Sequence, residues 1–239
     1  MMMPEVIIHN SISIDGVLTN FEPNMTLHYR IANSYKPGVH LVGSNTVKTG
    51  IELYEDGVPS EEEKDFEKPE RDKSLPYWVI PDTRGKPKGL LHTCRRFEYC
   101  KDVIVLVSEM TPTEYIKHLE IRNYDYHMVG KKNIDLEKAL KLLSSEYKVK
   151  KVLTDTGKIL GNLLIKQGFA SELSLLIHPV IVGKKSYNIF SDINENISLK
   201  LWKQRTLPQG HLWLVYSIKN ISRHKRIHTL TESSHISAS

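Results

Sequence analysis

The chain has 239 residues, 40% of them hydrophobic and 26% charged, the composition of a globular protein with enough length for one domain and a real core. No apolar run approaches the length of a membrane span and no charged-then-apolar leader follows Met1-Met2-Met3, so a cytoplasmic protein without a membrane partner is expected. The net charge of +5 suits an anionic partner, while Cys94 and Cys100 alone support neither a disulfide framework nor a four-ligand zinc site and read as plain thiols.

Taken in order, Glu5 to Ile14 reads as a central strand. The run Val6-Ile7-Ile8 continues into Ile12 and Ile14, which alternate with Ser11, Ser13 and Asp15, and Gly16 ends it. A strand end carrying hydroxyls and a carboxylate beside a glycine is where open α/β sheets present groups to ligands, although an Asp-Gly turn with no further role gives the same pattern. Asn24 to Tyr35 suits a helix with Met25, Tyr29 and Ala32 on one side. Val39 to Val42 is a second strand, followed by Gly43-Ser44-Asn45-Thr46, a glycine turn with short polar groups and a helix start.

The stretch 54–75 is rich in Glu, Asp and Lys, lacks either structural period, and is expected to be a surface insertion. Tyr77 to Ile80 is a strand leading into Pro81-Asp82-Thr83-Arg84-Gly85-Lys86-Pro87, where Arg84 and Lys86 are either phosphate ligands or merely solvated. Asp102 to Val107 is a strand, Thr111 to Ile121 a helix and Tyr124 to Val129 a strand that turns at Gly130. Asn133 or Asp135 caps the next helix, whose stripe is Leu136, Ala139, Leu140 and Leu143.

Lys151 to Gly183 forms a strand, turn, helix and strand. Asp155-Thr156-Gly157 makes the turn, Leu160, Leu163 and Leu164 the helical stripe, and Gly168 the stop. Asp155 or Thr156 can cap the helix, and N–H groups left over would attract an anion. Leu173, Leu175 and Ile177 alternate with Ser174, Leu176 and His178 in a strand that Pro179 interrupts. Ser198 to Leu207 and His211 to Ile218 make a closing hairpin around Pro208-Gln209-Gly210. The alternation implies an α/β fold with a mixed, mostly parallel sheet flanked by helices. Residues 1–220 form the domain, and 221–239, with Arg223, Lys225 and Arg226, a flexible basic and polar tail. Such a tail offers only salt-sensitive, nonspecific attraction, so nucleic acid is not expected as a partner.

Glycine-rich dinucleotide and Walker motifs, nucleophile elbows and zinc signatures are all missing. The histidines are scattered; His9, His40 and His178 read as core or pocket groups, and no metal is expected. What remains is a set of polar strand ends: Ser13 to Gly16, Gly43 to Thr46, Thr83 to Lys86, Val129-Gly130 and Asp155 to Lys158. In this fold class such ends converge on a cleft suited to an extended anionic ligand such as a dinucleotide.

Four segments, VIIHNSISIDG at Val6 to Gly16, VGSNTV at Val42 to Val47, VIPDTR at Val79 to Arg84 and LLIKQGFASELSLLIHPVIVG at Leu163 to Gly183, resemble in this order the riboflavin-biosynthesis pyrimidine reductases. The resemblance covers residues 4 to 219. It implies a dihydrofolate-reductase-like fold, a homodimer, and NADPH-dependent reduction of the ribosyl group of a ribosylaminopyrimidine 5′-phosphate to a ribitylamino product. It further implies that Thr46, Thr83, Arg84, Gly85, Lys86, Val129, Asp155, Thr156, Gly157 and Lys158 bind NADPH, with Arg84 and Lys86 on its 2′-phosphate. Ser13, Asp15 and Gly16 would face the substrate, and Asp15 would be catalytic. Lacking a zinc-deaminase half, the chain resembles the stand-alone type that acts on the 2,5-diamino substrate. Where the family commonly has Glu-Gly-Gly this chain has Asp155-Thr156-Gly157, and Val17 and Gly50 replace charged residues. These departures leave two alternatives: a reductase of another heterocycle, or a noncatalytic nucleotide-binding member.

Overall fold

A computed structural model describes residues 3–54 and 57–219. The basic tail expected at 221–239 lies outside the described residues, as do residues 55 and 56 of the insertion. The chain divides into two units, one built mainly from residues 25–157 and the other from 6–24 with the segment from 158 onward.

The first unit carries helix α1 (Met25–Ser34), strand β2 (Val39–Leu41), helix α2 (Ser44–Tyr54), strand β3 (Tyr77–Pro81), helix α3 (Leu91–Arg96) and strand β4 (Val103–Val107). Helix α4 (Thr113–Ile121), strand β5 (Asp125–Met128), helix α5 (Leu136–Glu146) and strand β6 (Lys151–Thr154) follow. Its five strands are all parallel, in the order β5-β4-β3-β2-β6. Parallel strands covered on both faces read as continuous apolar runs, and every residue of β4, Val-Ile-Val-Leu-Val, is fully buried. Leu91, Cys94, Tyr115 and Leu119 pack with it in the core, and both cysteines are free thiols. Asp135 caps α5 by accepting from Lys138 N at 3.0 Å, and the expected stripe Leu136, Ala139, Leu140 and Leu143 is buried.

The second unit contains β1 (Glu5–Ser13), α6 (Lys158–Lys166), β7 (Ala170–His178), β8 (Leu199–Thr206) and β9 (Leu212–Ile218). β1 lies parallel to β7, whose other edge pairs antiparallel with β9, and β9 pairs with β8 as the expected hairpin. The whole is thus a mixed, mostly parallel α/β fold with helices on the sheet and an antiparallel close. Among the described residues no helix is long and apolar enough to cross a membrane.

Three expectations from the sequence need correction. α1 buries Leu27, His28, Ile31 and Ala32 rather than a Met25, Tyr29 and Ala32 stripe, because His28 has a buried carboxylate to meet. β1 stops at Ser13 and leaves Ile14 62% exposed, since a tight turn closes there with Gly16 N donating to Ser13 O. α6 turns Gly161, Asn162 and Leu164 inward and leaves Leu163 exposed, a buried face with too little hydrophobicity for a leucine count to find. Within the insertion, Tyr54 ends α2, most of residues 57–75 are exposed, and a short 3-10 turn at Glu63–Phe66 is held to α3 and to the end of α4 by arginines. Arg96 pairs with Asp65, and Arg122 grips Glu61 with both Nε and Nη2.

Arg95 is the centre of that clasp. Its buried guanidinium donates to Asp102 Oδ1 at 2.8 Å and to the carbonyls of Asp65, Glu67, Arg122 and Asn123, and it lies 3.9 Å above the Tyr124 ring. Burial pushes the Asp102 carboxyl up, and Arg95 pulls against that shift. Removing one member of a buried pair strands the other charge. Arg95→Met should therefore destabilise the protein by about 3–5 kcal/mol in denaturant unfolding; a loss within ~0.5 kcal/mol, the usual range of a surface substitution, would show that the clasp is not structural.

Candidate functional site

In the first unit the chain runs from β2 outward through β3, β4 and β5, then returns so that β6 pairs with the opposite edge of β2. Such a reversal leaves a crevice at the carboxyl ends of the two strands where it occurs, and ligands of open α/β sheets bind there. The loops after β2 and β6 meet at this point. Gly43 N donates to Thr156 Oγ1 at 3.2 Å, Thr46 Oγ1 lies 3.4 Å from the same hydroxyl, and Gly157 N approaches Thr46 Oγ1 at 3.5 Å. A Cβ on residue 43 would stand 2.7 Å from Thr156 Oγ1, so the approach requires glycine. Gly43 O then accepts from Val47 N, which starts α2.

The loop after β3 is shaped from beneath by Asp82, a buried carboxylate that accepts from Arg84 N at 3.1 Å. Burial pushes the Asp82 carboxyl up, opposed by the Arg84 N–H and by the Tyr115 hydroxyl. Gly85 adopts φ +73°, and a Cβ there would press on the Tyr115 ring at 3.1 Å. With Asp82 turning the backbone inward, the loop offers its long cations outward. Lys86 Nζ donates to Asn45 Oδ1 at 2.6 Å, tying the loop to the start of α2, while Arg84 is exposed and its guanidinium meets no partner among the described residues. Asn45 lies in the Gly43 to Thr46 strand end read from the sequence, whereas Asp82 and Tyr115 escaped that reading as site residues; the Asp-Thr-Arg-Gly run, typical of an Asx turn, was the available signal for Asp82.

Val129 is placed differently. It is buried, its N–H donates to Val107 O, and its carbonyl accepts from Asp135 N, so its backbone seams β4 to the cap of α5. Asp155, at the end of β6, faces two buried imidazoles: His40 Nε2 lies 3.1 Å from Oδ1 and His28 Nε2 3.4 Å from Oδ2. Burial pushes this carboxyl up, but His40 and His28 outweigh it and hold the group well below the usual carboxylate range.

In the second unit Asp15 is a hub. Ser13 Oγ donates to Oδ1 at 2.6 Å, Val182 N to Oδ1 at 3.2 Å and Gly183 N to Oδ2 at 2.8 Å. Ser13 Oγ in turn accepts from Val17 N, and Gly16 O accepts from Ile189 N. The Ser13, Gly183 and Val182 donors lower the Asp15 pKa from 3.8 to about 2. Asp15 is therefore an ionised, fixed charge near neutral pH and holds the 182–183 segment in place. Lys158 Nζ pairs with Asp192 at 3.4 Å and lies 4.8 Å above the Tyr187 ring.

The structure thus brings Thr46, Thr156 and Gly157 together and joins Thr83–Lys86 to α2 through Asn45. Against this geometry, the model of the RibD C-terminal domain matches residues 4–213. The chain belongs to the RibD C-terminal domain family. This is the family of riboflavin-biosynthesis pyrimidine reductases whose motifs the sequence carries. A search of the curated proteins finds no match. Among solved structures, this RibD C-terminal domain chain is similar to a pyrimidine reductase-like protein from Corynebacterium diphtheriae, with 16% identity, a TM-score of 0.65 and 90% and 92% of the two chains covered. It is also similar to the riboflavin biosynthesis reductase Rib7 of Saccharomyces cerevisiae, with 17% identity, a TM-score of 0.62 and coverage of 91% and 90%. Acinetobacter baumannii RibD matches with 17% identity, a TM-score of 0.64 and 91% of this chain, which spans 58% of that protein. At these identities the likeness establishes the dihydrofolate-reductase-like fold.

The Asp15 clamp has a pH signature. Because its folded pKa is lowered, the clamp is intact above the unfolded value of 3.8 and is lost as pH falls toward about 2. Hydrogen exchange at the Val182 and Gly183 amides, corrected for intrinsic rates, should lose protection within that window in the wild type and at all pH values in Asp15→Ala. Protection independent of residue 15 would contradict the clamp.

Proposed function

We propose that this chain is an NADPH-dependent reductase of the ribosyl group of a ribosylaminopyrimidine 5′-phosphate, of the 2,5-diamino type, forming the ribitylamino product in the cytoplasm. The observation that carries the reading is the reversal between β2 and β6, where glycine amides and two threonine hydroxyls meet beside a loop that displays Arg84 and Lys86. With the Gly43 amide already spent on Thr156, the threonine hydroxyls and the two cations beside them are the groups that suit a dinucleotide. Thr46, Thr156 and Gly157 would hold it, Thr83 and Gly85 would line the same loop, and the unpaired Arg84 guanidinium, with Lys86, would take the 2′-phosphate. Val129 would contribute only packing, and Asp155 would act by fixing the turn. NADPH, when bound, supplies the two electrons and the hydrogen delivered to C1′.

Ser13, Asp15 and Gly16 would serve the substrate. The ribose ring must open before C1′ can be reduced, and the nitrogen on C1′ then carries developing positive charge. Asp15, ionised and immobilised by three donors, would stabilise that charge without carrying a proton, which its low pKa disfavours. Lys158, paired with Asp192, would have to exchange partners to meet a phosphate. A second reading, nucleotide binding without turnover, draws on Thr156, whose hydroxyl fills the space against Gly43 where the family commonly carries a bare glycine.

A homodimer also belongs to the proposal. β8 is the outermost strand of its unit and exposes Leu199, Leu201 and Trp202, an apolar edge that a second copy would cover. Light scattering at micromolar concentration should give twice the chain mass; a monomer mass would remove this element.

The purified protein should oxidise NADPH when offered the diaminopyrimidine substrate, and binding without oxidation would favour the second reading. Arg84→Ala should shrink the preference for NADPH over NADH by about tenfold to over a hundredfold, the worth of one charge-assisted bond of roughly 1.5–3 kcal/mol. Asp15→Asn should lower turnover at least about tenfold. An unchanged cofactor ratio would dissociate Arg84 from the 2′-phosphate, and unchanged turnover would leave Asp15 a turn residue.

A further inference from the structure

The buried His28, Asp155 and His40 cluster in the first unit is not explained by packing alone. Each carboxylate oxygen faces a different imidazole, one from α1 and one from β2, so the group is held from two elements at once. The imidazoles are about as buried as the core, with 5% of each side chain exposed against 14% for Asp155. Their own orientations are fixed by aromatic neighbours. His40 stands edge-on to Trp78 at 5.3 Å, and His28 stands edge-on to Tyr29 at 5.2 Å, while Tyr29 stacks on Tyr99 at 5.3 Å and packs with Phe97.

The residues that follow Asp155 are those whose placement matters most. Thr156 accepts the Gly43 amide, and Gly157 N points to Thr46 Oγ1. A free carboxylate would let the turn rotate about the end of β6, and both contacts would go with it. β2 therefore braces this turn twice, through His40 within the strand and through Gly43 just beyond it. The rotated face of α1, which buries His28 in place of the more apolar Met25 and Tyr29, has the same explanation.

We propose that His28 and His40 are positioning residues: by gripping Asp155 from two sides they set the Asp155-Thr156-Gly157 turn in the conformation that receives the cofactor. The inference rests on the cofactor assignment made above. In supporting this geometry, the imidazoles overcome the desolvation of Asp155 and keep it charged, so the grip is electrostatic as well as steric. The function requires an N–H at the Nε2 position rather than an aromatic ring.

That requirement separates positioning from space filling. A Gln side chain carries an amide N–H about as far from the backbone as Nε2, whereas Leu fills volume and donates nothing. Fluorescence titration with NADPH and hydrogen exchange at the Thr156 and Gly157 amides would be measured on the wild type, on His28→Leu/His40→Leu and on His28→Gln/His40→Gln. The Leu pair should weaken NADPH binding at least about tenfold and speed exchange at the two turn amides while the β4 amides stay protected; the Gln pair should retain most of both properties. Leu variants with wild-type affinity and exchange would overturn the proposal, as would Gln variants as impaired as the Leu ones. Should the Leu pair fail to fold, Asp155→Asn, which keeps the volume and one acceptor, must speed the same exchange or the proposal falls. A wild-type protein that binds no NADPH would overturn the cofactor reading, whereas the exchange data would still decide whether the imidazoles hold the turn.

Discussion

The hydrogen bond from the Gly43 amide to the Thr156 hydroxyl joins two loops that are far apart in sequence, at the place where the parallel sheet of the first unit reverses direction. It can form only because residue 43 has no side chain, and it needs a hydroxyl at 156 to receive it. A turn with two glycines would leave the Gly43 amide for a ligand. Here threonine satisfies it internally, Thr46 Oγ1 lies beside the same oxygen, and Gly157 N points in turn to Thr46 Oγ1. The site is thus preorganised by its own hydroxyl network, which lowers the ordering cost of binding but narrows the room for a phosphate close to the backbone.

The same economy marks the other loops. Asp82 takes the Arg84 amide, so the loop after β3 can recognise charge with its side chains rather than with that amide. In the second unit, Asp15 takes the amides of Val182 and Gly183 and becomes a fixed anion at the end of β1. Three aspartates, Asp15, Asp82 and Asp155, each follow or end a strand, and each organises backbone near a proposed ligand group. One is half-buried and ionised, one is pushed up by burial, and one is held charged by two imidazoles. Residue type alone does not distinguish these roles; the surroundings do.

Much of this was legible in the order of residues. The all-apolar β4, the stripe and Asp135 cap of α5, and the closing hairpin follow from period and turn chemistry, which depend on near neighbours. The polar strand ends were legible for the same reason. What escaped were features set by distant partners: His28 turning α1 toward Asp155, Arg95 binding five groups from three segments, and α3, which is too short to show a period. Val129 was named for its place at a strand end, yet both its backbone groups are spent on neighbours that no local pattern reveals.

The central claim, that the β2 and β6 reversal is the nucleotide site, is tested most directly by amide resonances of labelled protein titrated with NADPH. The account predicts that Gly43, Thr46, Arg84, Gly85, Thr156 and Gly157 shift together with one affinity and that the Arg84 response weakens when NADH is used instead. Saturable binding that leaves these amides unmoved would contradict it and place the nucleotide elsewhere on the fold.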